Sequence, residues 1–260
     1  MNFKLSLTWF MTCCFVFFSY VTVPQMATAG DMKIITKDVA YLKGVPSVKG
    51  YLAKPDDGKR HPGIILIHEW WGLNENIKQN AREFAELGYV ALAVDLYNGK
   101  NTTDRKTARK LATHVRKNRS QAFDNLRAAI DFLRADKQSV IPDRLAGIGW
   151  CFGGGWSYQM AKNDLGVKAS IIYYGFFNPK DDLAKMRALI LGNFGEKDRA
   201  IKVDNVRELQ VRLSTLNGNH EVYIYQNAGH GFANPGNPNY DKEAADLAWN
   251  RTLRFLEKYL

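Results

Sequence analysis

The segment Gly149-Trp150-Cys151-Phe152-Gly153 places a cysteine at the centre of a G-x-C-x-G pattern. This spacing is that of a nucleophile elbow, the sharp strand-to-helix turn that usually presents a serine in a G-x-S-x-G motif. Glycines are needed two places either side of the nucleophile, because the strained turn crowds the flanking backbone. The pattern therefore predicts a thiol nucleophile at Cys151. A small buried cysteine packed in a glycine-rich turn is the alternative interpretation.

Asp198 and His230 are candidates for the acid and the base that a thiol nucleophile requires. Each follows an apolar segment that predicts a buried strand, Asp198 after residues 188–193 and His230 after residues 221–225. Catalytic groups of open α/β sheets gather outside the carboxyl ends of the strands, so Asp198 and His230 are expected to meet Cys151 there. The chain order of nucleophile, acid and histidine is the order found in α/β-hydrolases.

Both partners also have simpler interpretations. Asp198 could hold a surface turn or cap the helix predicted from Val203, although Asp204 is better placed as that cap. His230 could be an ordinary loop histidine, but the glycines on both sides indicate an unusual approach of the backbone. The joint fit of residue types, chain order and strand-end positions favours a Cys-His-Asp triad over these separate explanations.

An oxyanion hole is expected from two backbone N–H groups near the nucleophile. One belongs to Phe152, the residue directly after Cys151, and the other to Trp70, in the loop that follows the apolar segment ending at His68. Trp70 and its neighbour Trp71 could also wall an apolar substrate pocket. Packing in the core or at its rim is the alternative for both tryptophans.

Strands alternate with helices along the chain, which predicts an α/β fold with a mostly parallel sheet of about seven to eight strands and helices on both faces. Residues 32–41 and 45–53 predict an antiparallel pair joined around Gly44. The later apolar segments that predict strands are 63–68, 89–94, 145–148, 167–174, 188–193 and 221–225. Helices are predicted over residues 74–87, 103–117, 120–135, 203–216 and 241–259, with another beginning at Trp156 after the elbow.

The first 29 residues have the pattern of a signal peptide, with Lys4 before the apolar stretch 5–23 and a small-x-small site ending at Ala29. Cleavage there predicts an exported protein, periplasmic or secreted, whose single domain covers residues 30–260. An uncleaved membrane anchor is the alternative, since the apolar stretch is nearly long enough to span a bilayer.

Removal of this leader would take Cys13 and Cys14 with it and leave Cys151 as the only cysteine. A lone thiol in an oxidising compartment is a chemical liability, so its place in a glycine elbow favours a catalytic use. A redox-reactive thiol protein is an alternative function, although the chain offers no C-x-x-C and no resolving cysteine.

The chain is basic, with 36 Lys and Arg against 26 Asp and Glu, and loss of the leader with its single Lys leaves a net charge of +9. Much of this charge lies between Lys100 and Arg119, where Asp104 is the only acidic residue. A solvated helix face is one interpretation. The other is a positive rim that attracts anionic substrates or a polyanionic surface. Nucleic-acid binding is not expected, because no recognition motif is present.

Several motifs together resemble those of the dienelactone hydrolase family. They are Glu69 in an H-E-x-x-G-x-N loop, the Asp95-Leu96-Tyr97 segment after a strand, the G-x-C-x-G-G elbow, G-x-x-D and H-G-F-A-N. The resemblance extends over residues 31–260 and implies an α/β-hydrolase fold without a large cap domain, acting on esters or lactones. It also implies that Glu69 interacts with the resting thiol and takes part in its activation. From the sequence alone, Glu69 could equally be a loop acid or a neighbour of a helix cap.

The sequence departs from the family pattern where the substrate carboxylate is bound. Enzymes acting on dienelactone itself hold that group with two arginines, one just after the D-L-Y segment and one four residues after the catalytic histidine. Here these places hold Asn98 or Gly99, and Asn234, which lack the charged fork of arginine. Lys100 could replace one charge. We therefore do not expect dienelactone to be the substrate, and we assign Trp71, Tyr97, Asn98, Lys100 and Asn234 to the substrate pocket.

These observations predict a cysteine hydrolase that cleaves small carboxylic esters or lactones through an acyl-thioester. No metal or organic cofactor is expected, because no histidine pair has ligand spacing and the glycine-rich turn lacks the lysine and hydroxyl of a phosphate loop. No membrane association is expected after leader cleavage, and a monomer is favoured. Besides the redox protein, a non-catalytic, ligand-binding member of the fold is the other alternative.

Overall fold

A computed structural model of the protein describes residues 32–260, and the predicted leader, with Cys13 and Cys14, lies outside them. The described strands are β1 (Ile34–Val39), β2 (Gly50–Pro55), β3 (His61–Ile67), β4 (Val90–Val94), β5 (Val140–Trp150), β6 (Ala169–Tyr173), β7 (Leu189–Gly195) and β8 (Glu221–Tyr225). The described helices are α1 (Glu75–Glu86), α2 (Arg105–Lys117), α3 (Arg119–Ala135), α4 (Phe152–Lys162), α5 (Val203–Ser214) and α6 (Lys242–Tyr259).

All eight described strands belong to one sheet, in the order β1-β2-β4-β3-β5-β6-β7-β8. Strand β2 runs antiparallel to both of its neighbours, β1 and β4. The other neighbouring pairs are all parallel, namely β4-β3, β3-β5, β5-β6, β6-β7 and β7-β8. The carboxyl ends of these strands therefore lie at the same edge. The predicted mostly parallel sheet is confirmed, as is the antiparallel pair at the start of the domain.

Two apolar layers cover the sheet, one on each face. On β3, Ile65 and Ile67 face the layer that holds the buried sides of α2, α3, α4 and α5. The alternate residues Ile64 and Leu66 face the layer formed with α1 and α6. Side chains of a strand alternate between faces, so a strand covered on both sides reads as an unbroken apolar run. The central strands therefore lack the alternation of polar and apolar residues that a strand with one exposed face shows.

The helix ends largely follow the predicted signals. The Asn74 side chain accepts from the N–H of Ile77 at the start of α1, and Gly88 follows the helix with a φ of 88°. The Asp241 side chain caps α6 in the same way. The prediction for Asp204 was wrong. It lies inside the first turn of α5, where it pairs with Arg207 at 3.1 Å, while Lys202 occupies the capping position.

Three predicted elements have boundaries that differ from the structure by more than two residues. The second strand begins at Gly50 rather than at residue 45, because residues 45–49 form a turn in which the Val48 N–H donates to the Val45 carbonyl. Val48 is fully buried in that turn, so its apolar character did not indicate a strand. Strand β5 is longer than predicted, since a shift in its register with β3 accommodates its first residues. Helix α4 begins directly at Phe152, not at Trp156.

The longest connection between successive strands, residues 95–139, forms α2 and α3. Helix α3 packs on β3, β4 and β5, and α2 packs on α3. In the part of the chain that the structure describes, this connection therefore covers the sheet and no large cap domain is present. None of the helices within residues 32–260 combines the length and apolar character needed to cross a bilayer.

The first turn of α4 packs so closely on the end of β3 that we expect Gly153→Ala to destabilise the protein. A Cβ atom at Gly153 would lie 2.1 Å from the Ile67 carbonyl oxygen. Because the obstacle is backbone, we expect a loss of at least about 3 kcal/mol in the free energy of unfolding, measured by urea denaturation. Gly236→Ala is the control, as its Cβ would meet no atom closer than 3.4 Å. Equal stability of the two variants would contradict this packing.

Candidate active site

Cys151 lies in a strained turn between β5 and α4. Its φ of 53° and ψ of −110° are outside the regions that L-residues commonly adopt. The Cys151 N–H donates to the Tyr173 carbonyl at 2.9 Å, which fixes the turn to the end of β6. A Cβ atom at Gly149 would lie 2.1 Å from the Gly153 carbonyl oxygen. The two glycines of the G-x-C-x-G pattern are therefore required by the close approach of the backbone.

His230 connects the Cys151 sulfur to a buried carboxylate. Its Nε2 atom lies 3.1 Å from Cys151 Sγ, and its Nδ1 atom lies 2.8 Å from Asp198 Oδ2. Asp198 follows β7 and His230 follows β8, as predicted, so the ends of three parallel strands bring the three residues together. The structure thus brings Cys151, His230 and Asp198 together in the geometry of a nucleophile, base and orienting acid.

The Asp198 carboxylate is completely buried and fully supplied with hydrogen bonds. Oδ1 accepts from the backbone N–H groups of Ala200 and Ile201, at 2.7 and 3.0 Å, while Oδ2 faces His230. Its side chain has no exposed surface. These donors compensate the loss of hydration that a buried charge suffers. The same contacts fix the carboxylate and leave one oxygen directed at the imidazole.

The surroundings of His230 favour its protonated form. Burial alone would lower the pKa of His230, but the hydrogen bonds and negative charges of Asp198 and Cys151 outweigh burial and raise this pKa to about 10. Tyr174 packs edge-on against the imidazole, with ring centres 5.3 Å apart. Asn239 donates to the His230 carbonyl at 3.0 Å. The ring is therefore held by Tyr174 and through both nitrogens, and its backbone is held by Asn239.

Glu69 lies buried near this group. Its Oε2 atom accepts from Asn234 Nδ2 at 2.5 Å, whereas the Cys151 sulfur contacts His230. Among the described residues, the structure shows no hydrogen bond between Glu69 and the thiol, and the interaction implied by the resemblance stays a prediction. Burial raises the pKa of Glu69 to about 7, although the Asn234 hydrogen bond and the nearby His230 charge oppose that shift.

His68 is the second histidine near the nucleophile, and its contacts give it a structural role. Its Nδ1 lies 2.6 Å from the Glu69 carbonyl, and its Nε2 accepts from the Leu96 N–H at 3.2 Å. These partners require the neutral ring with its proton on Nδ1. Burial lowers the pKa of His68, which agrees with a neutral ring. Its ring stacks on Phe152 and meets Tyr97 edge-on, so it supports the loop around Glu69 and Trp70.

The two residues predicted for an oxyanion hole lie in segments that pack on each other, since a Cβ atom at Gly153 would lie 2.6 Å from the His68 carbonyl oxygen. Phe152 is the first residue of α4, and Trp70 lies in the loop after β3. Within residues 32–260, neither backbone N–H donates a hydrogen bond to another protein group. Tyr97 donates its hydroxyl proton to the Trp70 carbonyl at 3.1 Å and so holds this loop in place. Trp71 packs against the Trp70 ring, with centres 4.6 Å apart.

A cleft of about 190 Å³ opens beside Cys151, and its walls are not those predicted. It is lined by Arg116, Arg119, Cys151, Phe152, Gly155, Trp156, Gln159 and Phe176. Of the residues assigned to the pocket, Tyr97 and Asn234 contact the site through Trp70 and Glu69, and Trp71 packs on Trp70.

Asn98 and Lys100 do not line this cleft, and their assignment to the substrate pocket stays a prediction. Each faces a different surface depression. The reason is a tight turn after β4, in which the Asp95 carboxylate accepts from the N–H groups of Tyr97 and Gly99. Asn98 takes a φ of 55° in this turn.

The arginines of the cleft and Phe176 were not assigned to the site from the sequence. Arg116 belongs to the basic segment between Lys100 and Arg119. That segment predicted either a solvated helix face or a positive rim. Most charged residues of α2 are solvated, since Ala108, Ala112 and Val115 form its buried side. Arg116, near its end, reaches the cleft. Phe176 carried no sequence signal, because it lies in an irregular loop after β6.

No three His, Cys, Asp or Glu side chains of residues 32–260 come together in an arrangement that could hold a metal ion. The functional groups gathered at this edge of the sheet are thus a thiol, an imidazole, two carboxyl groups and backbone N–H donors. Chemically, such a set can perform acyl transfer, in which the thiol attacks a carbonyl and the imidazole moves protons.

Comparisons with known proteins agree with this geometry. The model of the dienelactone hydrolase family matches residues 48–260. Among the relatives, protein Usf of Aquifex pyrophilus is 34% identical over 230 residues, which cover 85% of this chain and 98% of that protein.

Two solved structures share the α/β-hydrolase fold. One is a dienelactone hydrolase-like promiscuous phosphotriesterase from metagenomic libraries, with 22% identity and a TM-score of 0.77, covering 88% of this chain and 99% of that one. The other is a thermophilic esterase of Thermogutta terrifontis with propionate bound, with 16% identity and a TM-score of 0.67, covering 86% of this chain and 94% of that one. The family model matches most of the length of the chain. The chain therefore belongs to the dienelactone hydrolase family of hydrolases.

Proposed function

We propose that the protein hydrolyses small carboxylic esters or lactones through an acyl-thioester on Cys151. Membership of the dienelactone hydrolase family supports the reaction class. The observation that carries the proposal is the position of His230, whose two nitrogens lie 3.1 Å from the Cys151 sulfur and 2.8 Å from the Asp198 carboxylate. A thiol, a base and an orienting acid in this arrangement are the requirements of a cysteine nucleophile.

The reaction proceeds in two halves. His230 takes the proton of the Cys151 thiol, and the thiolate attacks the substrate carbonyl to form a carbon–sulfur bond. The tetrahedral intermediate then collapses, the carbon–oxygen bond of the leaving group breaks, and His230 returns its proton to that oxygen. In the second half, water gives a proton to His230 and attacks the thioester. The carbon–sulfur bond breaks, the acid product leaves, and the sulfur recovers the proton.

The N–H groups of Phe152 and Trp70 stabilise the negative oxygen of both tetrahedral intermediates. Their freedom from protein acceptors within residues 32–260 supports this assignment. Phe152 is also the first residue of α4, so the positive end of that helix dipole faces the developing charge. Asp198 does not need to accept a proton, because its role is to orient His230 and stabilise the imidazolium.

Glu69 acts on this machinery through its charge. Its ionised form would stabilise the His230 imidazolium, because the two groups interact electrostatically in a buried setting. The Asn234 amide holds the Glu69 carboxylate in place. We therefore assign Glu69 as a positioning residue that supports the ion pair of the nucleophile and base. Tyr97 and Trp71 support the loop that carries Trp70.

We further propose that the protein is exported and cleaved near Ala29, acting as a periplasmic or secreted monomer. The basic start, apolar stretch and small-x-small site of residues 1–29 support export. Cys151 would then be the only cysteine of the mature protein. The absence of arginine at Asn98, Gly99 and Asn234 argues against dienelactone itself as the substrate.

Replacement of the nucleophile tests the proposal directly. Cys151→Ala should abolish the initial burst with a 4-nitrophenyl ester and lower kcat/KM by at least about 10³-fold, since alanine has no nucleophile to form the acyl intermediate. Burst amplitude and steady-state rate are measured by absorbance, with circular dichroism as the control for folding. Turnover that persists in the variant would overturn the assignment of Cys151. Inertness of the wild type to a broad panel of esters and lactones would instead favour a non-catalytic protein.

The buried carboxyl of Glu69 predicts a pH dependence of stability. Its pKa is raised from 4.5 to about 7 in the folded protein. The stability associated with its protonated form is thus complete below pH 4.5 and is lost as pH rises through 7. Relative to Glu69→Gln, the wild type should lose on the order of 3 kcal/mol of unfolding free energy between pH 4 and pH 8. Urea denaturation across this range measures the difference.

Glu243→Gln is the matched control for this experiment, because Glu243 is an exposed carboxyl in the first turn of α6. Its stability curve shows how far the removal of an exposed carboxyl by itself changes the pH dependence. Parallel stability curves for wild type and Glu69→Gln would show that Glu69 does not titrate in the way its burial requires.

Export is tested by the mature N-terminus. The protein recovered from the periplasm or medium of a Gram-negative expression host should begin at or near Gly30, because signal peptidase cleaves after the small-x-small site. Intact mass and N-terminal sequencing measure this. An uncut chain that stays with the membrane fraction would support the anchor instead.

A further inference from the structure

The cleft beside Cys151 contains two arginines that the reaction above does not use. Arg116 lies near the end of α2, and Arg119 is the first residue of α3. Both line the cleft together with Cys151 and Phe152, so a substrate bound to the nucleophile reaches the same space as the two guanidinium groups. The position of these charges therefore bears on which substrates the site accepts.

The charges of both arginines are free to meet a ligand. Within residues 32–260, neither guanidinium lies within ion-pair distance of a carboxylate. Arg119 donates to the neutral Gln159 Oε1 at 2.7 Å, which orients the side chain without compensating its charge. The guanidinium carbon of Arg116 lies 5.6 Å from the centre of the Phe152 ring. Each side chain is thus positioned by an uncharged neighbour from α4.

The surface around the two arginines adds to the positive potential. Helix α2 also exposes five basic side chains, Arg105, Lys106, Arg109, Lys110 and Lys117. Asp104, the only acidic residue between positions 100 and 119, lies at the opposite end of α2 as its N-cap. A cleft bordered by charge of one sign attracts ligands of the opposite sign and raises their rate of association.

These arginines do not occupy the positions at which the family pattern places its carboxylate-binding pair. Those positions hold Asn98 or Gly99, and Asn234, and the Asn234 amide already donates to Glu69. Arg116 and Arg119 approach from α2 and α3, beyond the Phe152 ring. A negative group bound there would be held by residues of α2 and α3 rather than by the two places of the family pattern.

We propose that Arg116 and Arg119 form an anion-binding subsite for a substrate carboxylate, and that the preferred substrates are monoesters of short dicarboxylic acids. This inference rests on the proposed ester hydrolysis. Arginine suits the role because its planar fork matches a carboxylate with two parallel hydrogen bonds.

The size and walls of the cleft set the length of the acyl chain. At roughly 30 Å³ for each water molecule in the liquid, its volume of about 190 Å³ holds about six water-sized groups. Phe152, Trp156 and Phe176 supply apolar walls, and Phe176 remains 66% exposed at the surface. A chain of a few methylene groups does not exceed this volume, and we expect its ester to lie at Cys151 and its carboxylate at the arginines.

The test compares two esters with the same leaving group. The anionic probe is the mono-4-nitrophenyl ester of glutaric acid, and the neutral probe is 4-nitrophenyl pentanoate. We expect the wild type to have a kcat/KM at least about tenfold higher for the anionic ester. Arg116→Gln and Arg119→Gln should each lower the ratio of the two kcat/KM values about tenfold, because each removes a hydrogen bond to a charged group.

Arg109→Gln is the matched control, since it removes one positive charge from α2 at a position that does not line the cleft. Its ratio should stay within about twofold of the wild type. A wild-type ratio near one, or a ratio unchanged in the double variant Arg116→Gln/Arg119→Gln, would overturn the subsite while leaving ester hydrolysis intact.

Failure of the proposed ester hydrolysis gives a different result from failure of the anion-binding subsite. If the wild type cleaved neither ester, calorimetric titration with glutarate would still judge the anion-binding site. Binding to the wild type that is lost in the double variant supports the subsite, and absence of binding to the folded wild type overturns it.

Discussion

The contact of 3.1 Å between His230 Nε2 and Cys151 Sγ joins residues 79 positions apart in the chain. It exists because β5, β7 and β8 are parallel and end at the same edge of the sheet. Asp198 extends the contact into the protein, where two backbone N–H groups and the imidazole replace its lost hydration. An imidazole held between a thiol and a buried carboxylate has a raised pKa, and a raised pKa favours the ion pair that a cysteine nucleophile needs.

The strained turn at Cys151 depends on close backbone packing that only glycine allows. Gly149 and Gly153 approach each other across the elbow, and Gly153 also meets the end of β3. The same packing sets the first turn of α4, so the N–H of Phe152 lies beside the nucleophile. Fold stability and presentation of the thiol thus rest on the same contacts, which is why a single methyl group at these positions would affect both.

The triad could be predicted from sequence because it follows two simple rules. The first is the order of the three residues along the chain, which is that of α/β-hydrolases. The second is that catalytic groups lie at the carboxyl ends of parallel strands, which places the three residues at one edge of the sheet. Neither rule depends on the direction of a particular side chain. The same reasoning found the central strands, whose apolar runs reflect burial on both faces.

The walls of the cleft could not be predicted in this way. Asn98 and Lys100 follow a strand end, but the Asp95 carboxylate holds a tight turn there, and neither residue lines the cleft. Arg116 lies within a helix whose other charges are solvated, and only the packing of α2 beside the cleft distinguishes it. Such differences arise from tertiary contacts, which periodicity and composition do not contain.

The most direct measurement of the central claim is the mass of the enzyme quenched in acid during turnover of a slowly released acyl ester. We predict a mass increase equal to one acyl group, located by peptide mapping on the peptide that contains Cys151, since the thioester is an obligatory intermediate. The adduct should disappear as the substrate is exhausted. An acyl group on another residue, or turnover that proceeds with no covalent adduct and no burst, would contradict the account.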